Sequence, residues 1–83
     1  MISAYVLTNV KSEGNIQKTI DQMKSISYLK SISVVSGKHD LMIYVQIPSL
    51  EVLYDVTQRI HEHPMVSETS TQVIEWEIQK QLN

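Results

Sequence analysis

Between two aliphatic runs, the segment Val35 to Asp40 reads V-S-G-K-H-D and gathers a glycine (Gly37), a cation (Lys38), an imidazole (His39) and a carboxylate (Asp40). Glycine adopts positive φ without penalty and lets another group approach the main chain closely. Exposed N–H groups in such a turn form a concave site for an anion, and a neighbouring carboxylate takes an ammonium through charge-assisted hydrogen bonds. A free amino acid carries both charges, so one reading of this segment is a grip on a zwitterion. The other reading is purely geometric. A short connection between two strands with glycine at its positive-φ position is an ordinary hairpin loop, and an aspartate at a turn commonly bonds nearby main chain.

His61 and His63 are the other residues whose types invite chemistry, because imidazole is a common metal ligand. At i, i+2 the two rings do not share a helix face, whereas i, i+3 or i, i+4 spacing would bring them together. No cysteine is present to complete a site. A histidine placed near a helix carboxyl end, where the helix dipole favours it, is the simpler account, and no metal or cofactor is expected. The aromatic residues Tyr5, Tyr44, Tyr54 and Trp76 are expected to bury area in the core or against another subunit.

These residues must be held by regular elements. From Ile2 to Val10 the chain is rich in β-branched and aromatic residues with a period of two, the pattern of a strand. Ile16, Ile20 and Met23 then follow the i, i+4, i+7 spacing of one helix face. Ser12 is the expected cap, Glu13 sits at the positive end, and the helix is predicted to stop near Ser25 to Ser27. Ile32 to Ser36 reads as a second strand. Leu41 to Ile47 reads as a third, with Leu41, Ile43, Val45 and Ile47 on one face. Pro48 ends it, since proline cannot donate to the ladder. Ser49 then caps a second helix carrying Leu50, Leu53, Val56, Thr57 and Ile60 on one stripe, and His63–Pro64 closes it. Val66 to Ile78 is predicted as a long fourth strand, with Glu68, Glu75 and Glu77 facing water or pairing across subunits and discouraging edge-to-edge aggregation. A frayed tail follows.

The predicted order is β-α-β-β-α-β, an α+β, ferredoxin-like arrangement. Right-handed crossovers put both helices on one face of a four-stranded antiparallel sheet. The other face, carrying Met42, Tyr44 and Gln46 and, depending on register, Trp76, is left bare in a monomer, so two subunits are expected to pack sheet against sheet.

Bulk properties agree with a small assembly-forming domain. A chain of 83 residues is one domain at most, and at this size the core is marginal unless something staples it. With no cysteine, the staple is expected to be a partner subunit. Lys11, Lys18, Lys24, Lys30, Lys38, Lys80 and Arg59 are scattered within a net charge of −2. No basic stripe stands ready to neutralise phosphates, which argues against direct nucleic-acid binding. The amino terminus has no secretory pattern and no apolar run approaches the roughly 20 residues that span a bilayer, so a cytoplasmic location is expected.

In their order and spacing, several short motifs resemble one family. The run AYVLTNV, the V-x-G-x-x-D pattern from Val35 to Asp40, the segment PSLEVLYDVTQRIHEHPMV, and the T-x-T of Thr69 to Thr71 look like the ligand-binding domain of Lrp/AsnC regulators, also called the RAM domain. The resemblance covers nearly the whole chain. It implies a dimeric α+β barrel, further assembly into tetramers or octamers, and a small effector, typically an amino acid, bound between dimers. It also implies Gly37 as the close-approach glycine, Asp40 as partner of the effector's amino group, and Thr69 and Thr71 as hydroxyls near the pocket. Lys38 and His39 fall at variable positions where they tune specificity or do nothing. Most members carry an amino-terminal helix-turn-helix for DNA, and here the first strand starts at residue 2. A stand-alone effector domain, acting through its own assembly or through a full-length regulator, is therefore expected. Two alternatives stay open: an enzyme of the small dimeric α+β barrel type, a monooxygenase or isomerase, and an assembly subunit with no ligand. An amino-acid-binding ACT domain has the same strand order.

Overall fold

The computed structural model describes residues 1–78. Its elements are β1 (Ile2–Val10), α1 (Ile16–Met23), β2 (Leu29–Val34), β3 (Leu41–Ile47), α2 (Leu50–His61) and β4 (Val66–Val73). They build the expected β-α-β-β-α-β order, with strands arranged β2-β3-β1-β4 and every neighbour antiparallel. Alternation on the two central strands sets the layers. Ala4, Val6 and Thr8 on β1 and Leu41, Ile43, Val45 and Ile47 on β3 are fully buried, while the residues between them are only half-buried. Met23 of α1 and Leu53, Val56 and Ile60 of α2 join that same cluster, so both helices cover one face and leave the other without a second layer.

The elements depart from the sequence expectation at four places, each with a local cause. The cap of α1 is Asn15, not Ser12: the Asn15 side chain accepts from the Lys18 N–H at 3.1 Å, and Ser12 lies in the turn that Gly14 N–H closes onto Lys11 O. The helix then ends at Met23, short of Ser25. Strand β2 starts three residues early and stops at Val34 rather than Ser36. Tyr28, at φ 74°, swings the chain into the ladder ahead of Leu29, and the Val35 N–H closes the following loop onto Asp40 O. On α2, Ser49 caps as expected, accepting from the Val52 N–H at 3.3 Å. Leu50, however, is 62% exposed, because the buried stripe runs through Leu53, Val56 and Ile60 with Val52 beside it; the helix ends at His61, two residues before His63.

The fourth difference is the length of β4. Its pairing with β1 sets Val73 opposite Ala4, so the strand reaches the start of β1 almost at once. One further bond, Ile74 N–H to Ser3 O at 2.9 Å, completes the ladder. Beyond it the chain has no strand to pair with, and Trp76, 81% exposed, does not join the uncovered sheet face. The frayed tail expected after Ile78 lies outside the described residues.

On the uncovered face, Tyr5 and Tyr44 sit opposite each other with ring centroids 5.1 Å apart at 41°. The Tyr44 hydroxyl donates to Ser3 Oγ at 3.2 Å and accepts from Gln46 Nε2 at 3.1 Å. Leu7 faces Met42 beside them. The centre of the face is thus an aromatic and apolar strip in which Tyr44, Ser3 and Gln46 pair with one another.

Candidate functional site

The loop between β2 and β3 is held by three sets of bonds to the carboxyl end of β1. Asp40 N–H donates to Thr8 O at 3.0 Å, and Asp40 Oδ2 accepts from the Val10 N–H at 2.9 Å. Asn9 reaches the loop from the other side, its Nδ2 donating to Lys38 O at 3.2 Å and its Oδ1 lying 2.8 Å from His39 Nδ1. Because the Asn9 amide nitrogen is the donor to Lys38, its oxygen is the acceptor, so His39 Nδ1 carries the proton and Nε2 is the free ring nitrogen. Gly37 stands at φ 115° with no atom within 4 Å of where a Cβ would be, so main-chain conformation rather than space demands glycine there.

Because β1 is flanked by β3 and β4, the same end of the sheet brings the start of β4 to this loop. Ser67 Oγ donates to Asn9 O at 3.2 Å. A cleft of about 200 Å³ opens between them, lined by Leu7, Lys38, His39, Glu68, Thr69 and Ser70. Of the residues singled out in the sequence, Lys38, His39 and Thr69 border this cleft, and Gly37 shapes the loop above it. The Asp40 carboxylate is engaged with β1. Thr69 and Thr71 pair with Thr8 and Val6, both buried beneath the helices, so their side chains face the helix layer; Thr69 Oγ1 lies 3.4 Å from His61 Nδ1 on α2. Sequence reasoning did not assign Asn9, Leu7, Glu68 or Ser70 to the site, Glu68 being expected to face water or pair across subunits. Their signal was the alternation of β1 and β4: Leu7 pairs with Ser70 and Asn9 with Glu68, all on the uncovered face.

The two histidines of the helix end have structural partners. His63 Nδ1 accepts from the Met65 N–H at 3.1 Å, which leaves Nε2 as the donor to Gln22 Oε1 at 2.7 Å. The ring therefore ties the α2–β4 turn to α1. Among the described residues no group of three or more His, Asp or Glu side chains is arranged to hold a metal ion, and no helix is long and apolar enough to cross a membrane. Leu41, Ile43, Val45, Leu53, Val56 and Ile60 are buried in one cluster between the helices and the sheet, and a cavity of about 240 Å³ lies between α1 and β2, lined by Ile20, Lys24, Leu29, Lys30, Ser31 and Ile32.

A family model described as the Lrp/AsnC ligand binding domain matches residues 3–80. Comparison with curated proteins finds no match. Among solved structures, TTHA0845 from Thermus thermophilus is 26% identical with a TM-score of 0.85, over 96% of this chain and 100% of that one. The hypothetical protein PHS023 from Pyrococcus horikoshii is 26% identical with a TM-score of 0.78, over 93% of each chain. A feast or famine regulatory protein from M. tuberculosis, complexed with L-methionine, shares the fold at a TM-score of 0.80 and 21% identity, over 96% of this chain and 54% of its own.

Proposed function

The chain belongs to the Lrp/AsnC ligand-binding domain family, and we propose that it is a non-enzymatic sensor that binds a small effector, an amino acid, in the cytoplasm. The observation that carries this reading is the hairpin Gly37 to Asp40, pinned by Asn9 and Asp40 so that its tip overhangs a cleft shared with the start of β4. A loop fixed in this way has already lost the entropy that gripping a ligand would otherwise cost. In this reading the amides of the loop, with Lys38 and His39, face the ligand. Gly37 permits the turn, Thr69 forms part of the floor, and Asp40 and Thr71 act from behind to hold the frame.

Binding is proposed to act through assembly. The uncovered strip of Tyr5, Leu7, Met42 and Tyr44 suits a second copy of the chain packed sheet against sheet, and the cleft lies at one end of that strip, where a neighbouring subunit would complete it. Dimers would combine into tetramers or octamers. A full-length Lrp/AsnC regulator is the proposed partner in a mixed oligomer; in support of a domain working by itself, the match to the Thermus protein spans that whole chain. The M. tuberculosis relative with L-methionine supports an amino acid as effector. Against an enzyme stand the engagement of His39, His61 and His63 with neighbouring side chains and main chain and the lining of the cavity between α1 and β2, which holds two lysines and a serine beside aliphatic residues and no histidine or carboxylate.

The test is thermal melting with each proteinogenic amino acid at millimolar concentration, followed by light scattering with and without those that act. A ligand at a hundred times its Kd stabilises the fold by about 2.7 kcal/mol, a readily measured rise in Tm. No shift with any of them refutes amino-acid sensing. An unchanged oligomer in the presence of a ligand that does bind refutes output through assembly.

A further inference from the structure

We infer that the ammonium of the effector is received by Glu68, not by Asp40, and that Lys38 across the cleft takes the carboxylate; this assignment rests on the sensor reading above. Asp40 spends Oδ2 on the Val10 N–H at 2.9 Å and does not line the cleft. Glu68 does line it, and so does Lys38. Among the described residues neither takes part in a salt bridge or a side-chain hydrogen bond. An unpaired carboxylate and an unpaired ammonium thus face one small cavity without meeting, and a zwitterion set between them satisfies both at once.

The other walls narrow the ligand class. His39 also lines the cavity, and with Nδ1 on Asn9 its Nε2 is left as an acceptor in the neutral ring, available to the ammonium as a second partner. Leu7, opposite Ser70 on the uncovered face, supplies the apolar wall. At about 200 Å³, the cleft has room for a main-chain zwitterion and an apolar side chain laid against Leu7. A side chain bearing its own charge would bring a third ion with no partner left to receive it. The ligand class is therefore α-amino acids with uncharged, apolar side chains, recognised by both main-chain charges.

Isothermal titration of the full chain with proteinogenic amino acids singly, and with the desamino carboxylic acid of whichever binds, tests this. Glu68→Gln is compared with Glu51→Gln, which makes the same charge change in the first turn of α2 at the opposite end of β3 from the cleft. The expected result is that Glu68→Gln weakens the amino acid at least tenfold and leaves the desamino acid unchanged, so that discrimination between the two collapses. Glu51→Gln and wild type keep that discrimination. If wild type binds an amino acid and Glu68→Gln binds it equally, or loses both ligands in parallel, the assignment is overturned while the sensor reading stands. If wild type binds no amino acid, the sensor reading falls and takes the assignment with it.

Discussion

Replacing Asp40 tests whether the loop is a fixed feature or a mobile one. Its carboxylate holds the Val10 N–H at 2.9 Å in a half-buried setting, 30 residues away along the chain. That amide sits where the β1–β4 register shifts, between Asn9 and Val10. A hydrogen bond to a charged group contributes about 1.5–3 kcal/mol, and an amide left without a partner costs about 1–3. With solvent reaching part of the site, we expect Asp40→Ala to lose about 1–2 kcal/mol. Asp40→Asn keeps a carbonyl acceptor of the same shape and gives up only the charge, so it should lose about half as much. A domain of this length has a total stability of roughly 4–12 kcal/mol, so the alanine variant remains folded. Its Tm should drop by roughly 4–16 °C, at about 4–8 °C for each kcal/mol. Urea unfolding at fixed protein concentration gives the free energies, the concentration being held because self-association contributes to apparent stability. Hydrogen exchange of the Val10 amide reports the bond itself, slow in wild type and fast in Asp40→Ala. An alanine variant within about 0.3 kcal/mol of wild type, or a Val10 amide that exchanges at the same rate in both, would falsify the pinning argument.

Four further outcomes follow from the same structure. Asn15→Ala should destabilise by about 1 kcal/mol through loss of the α1 cap, whereas Ser12→Ala should be nearly silent; equal effects in urea titrations would contradict the observed cap. Gly37→Ala forces an ordinary residue to φ 115° where nothing crowds a Cβ, and should cost about 1–3 kcal/mol from main-chain strain alone. An unchanged unfolding midpoint would mean the loop relaxes freely. Tyr44→Lys places a charge in the centre of the uncovered strip and should shift the population towards monomer in light scattering, and an unaltered mass would show that this face is not the subunit contact. His63→Ala removes the tie from Gln22 to the α2–β4 turn and should lower stability by about 0.5–1.5 kcal/mol. Added zinc should leave the Tm of wild type and variant alike, and a zinc-dependent rise lost in the variant would restore a metal role.

The alternation of β1 and β3 made the fold legible, since Ala4, Val6 and Thr8 on one strand and Leu41, Ile43, Val45 and Ile47 on the other repeat with period two and each is buried. What could not be read was where the elements stop, because those points depend on partners rather than on propensity. Residues Val66 to Ile78 have strand-like character throughout, yet β4 ends at Val73, opposite Ala4, with one further bond from Ile74 N–H to Ser3 O near the start of β1. Asn15 outcompetes Ser12 as cap because Gly14 closes a turn before it, a contest that local preference does not settle.

The candidate site divides along the same line. A glycine, a lysine, a histidine and an aspartate adjacent in sequence identify the loop, and any local reading finds them. Leu7, Asn9, Glu68 and Ser70 come from two other strands and reach the loop only through the register that sets Leu7 against Ser70 and Asn9 against Glu68. Shifting that register by one residue would turn the Glu68 and Ser70 side chains to the helix side and the Thr69 and Thr71 hydroxyls to the uncovered face. Which of these side chains the uncovered face carries is therefore decided by the β1–β4 register. It puts Glu68 and Ser70 on the uncovered face, among the residues that line the cleft with Lys38.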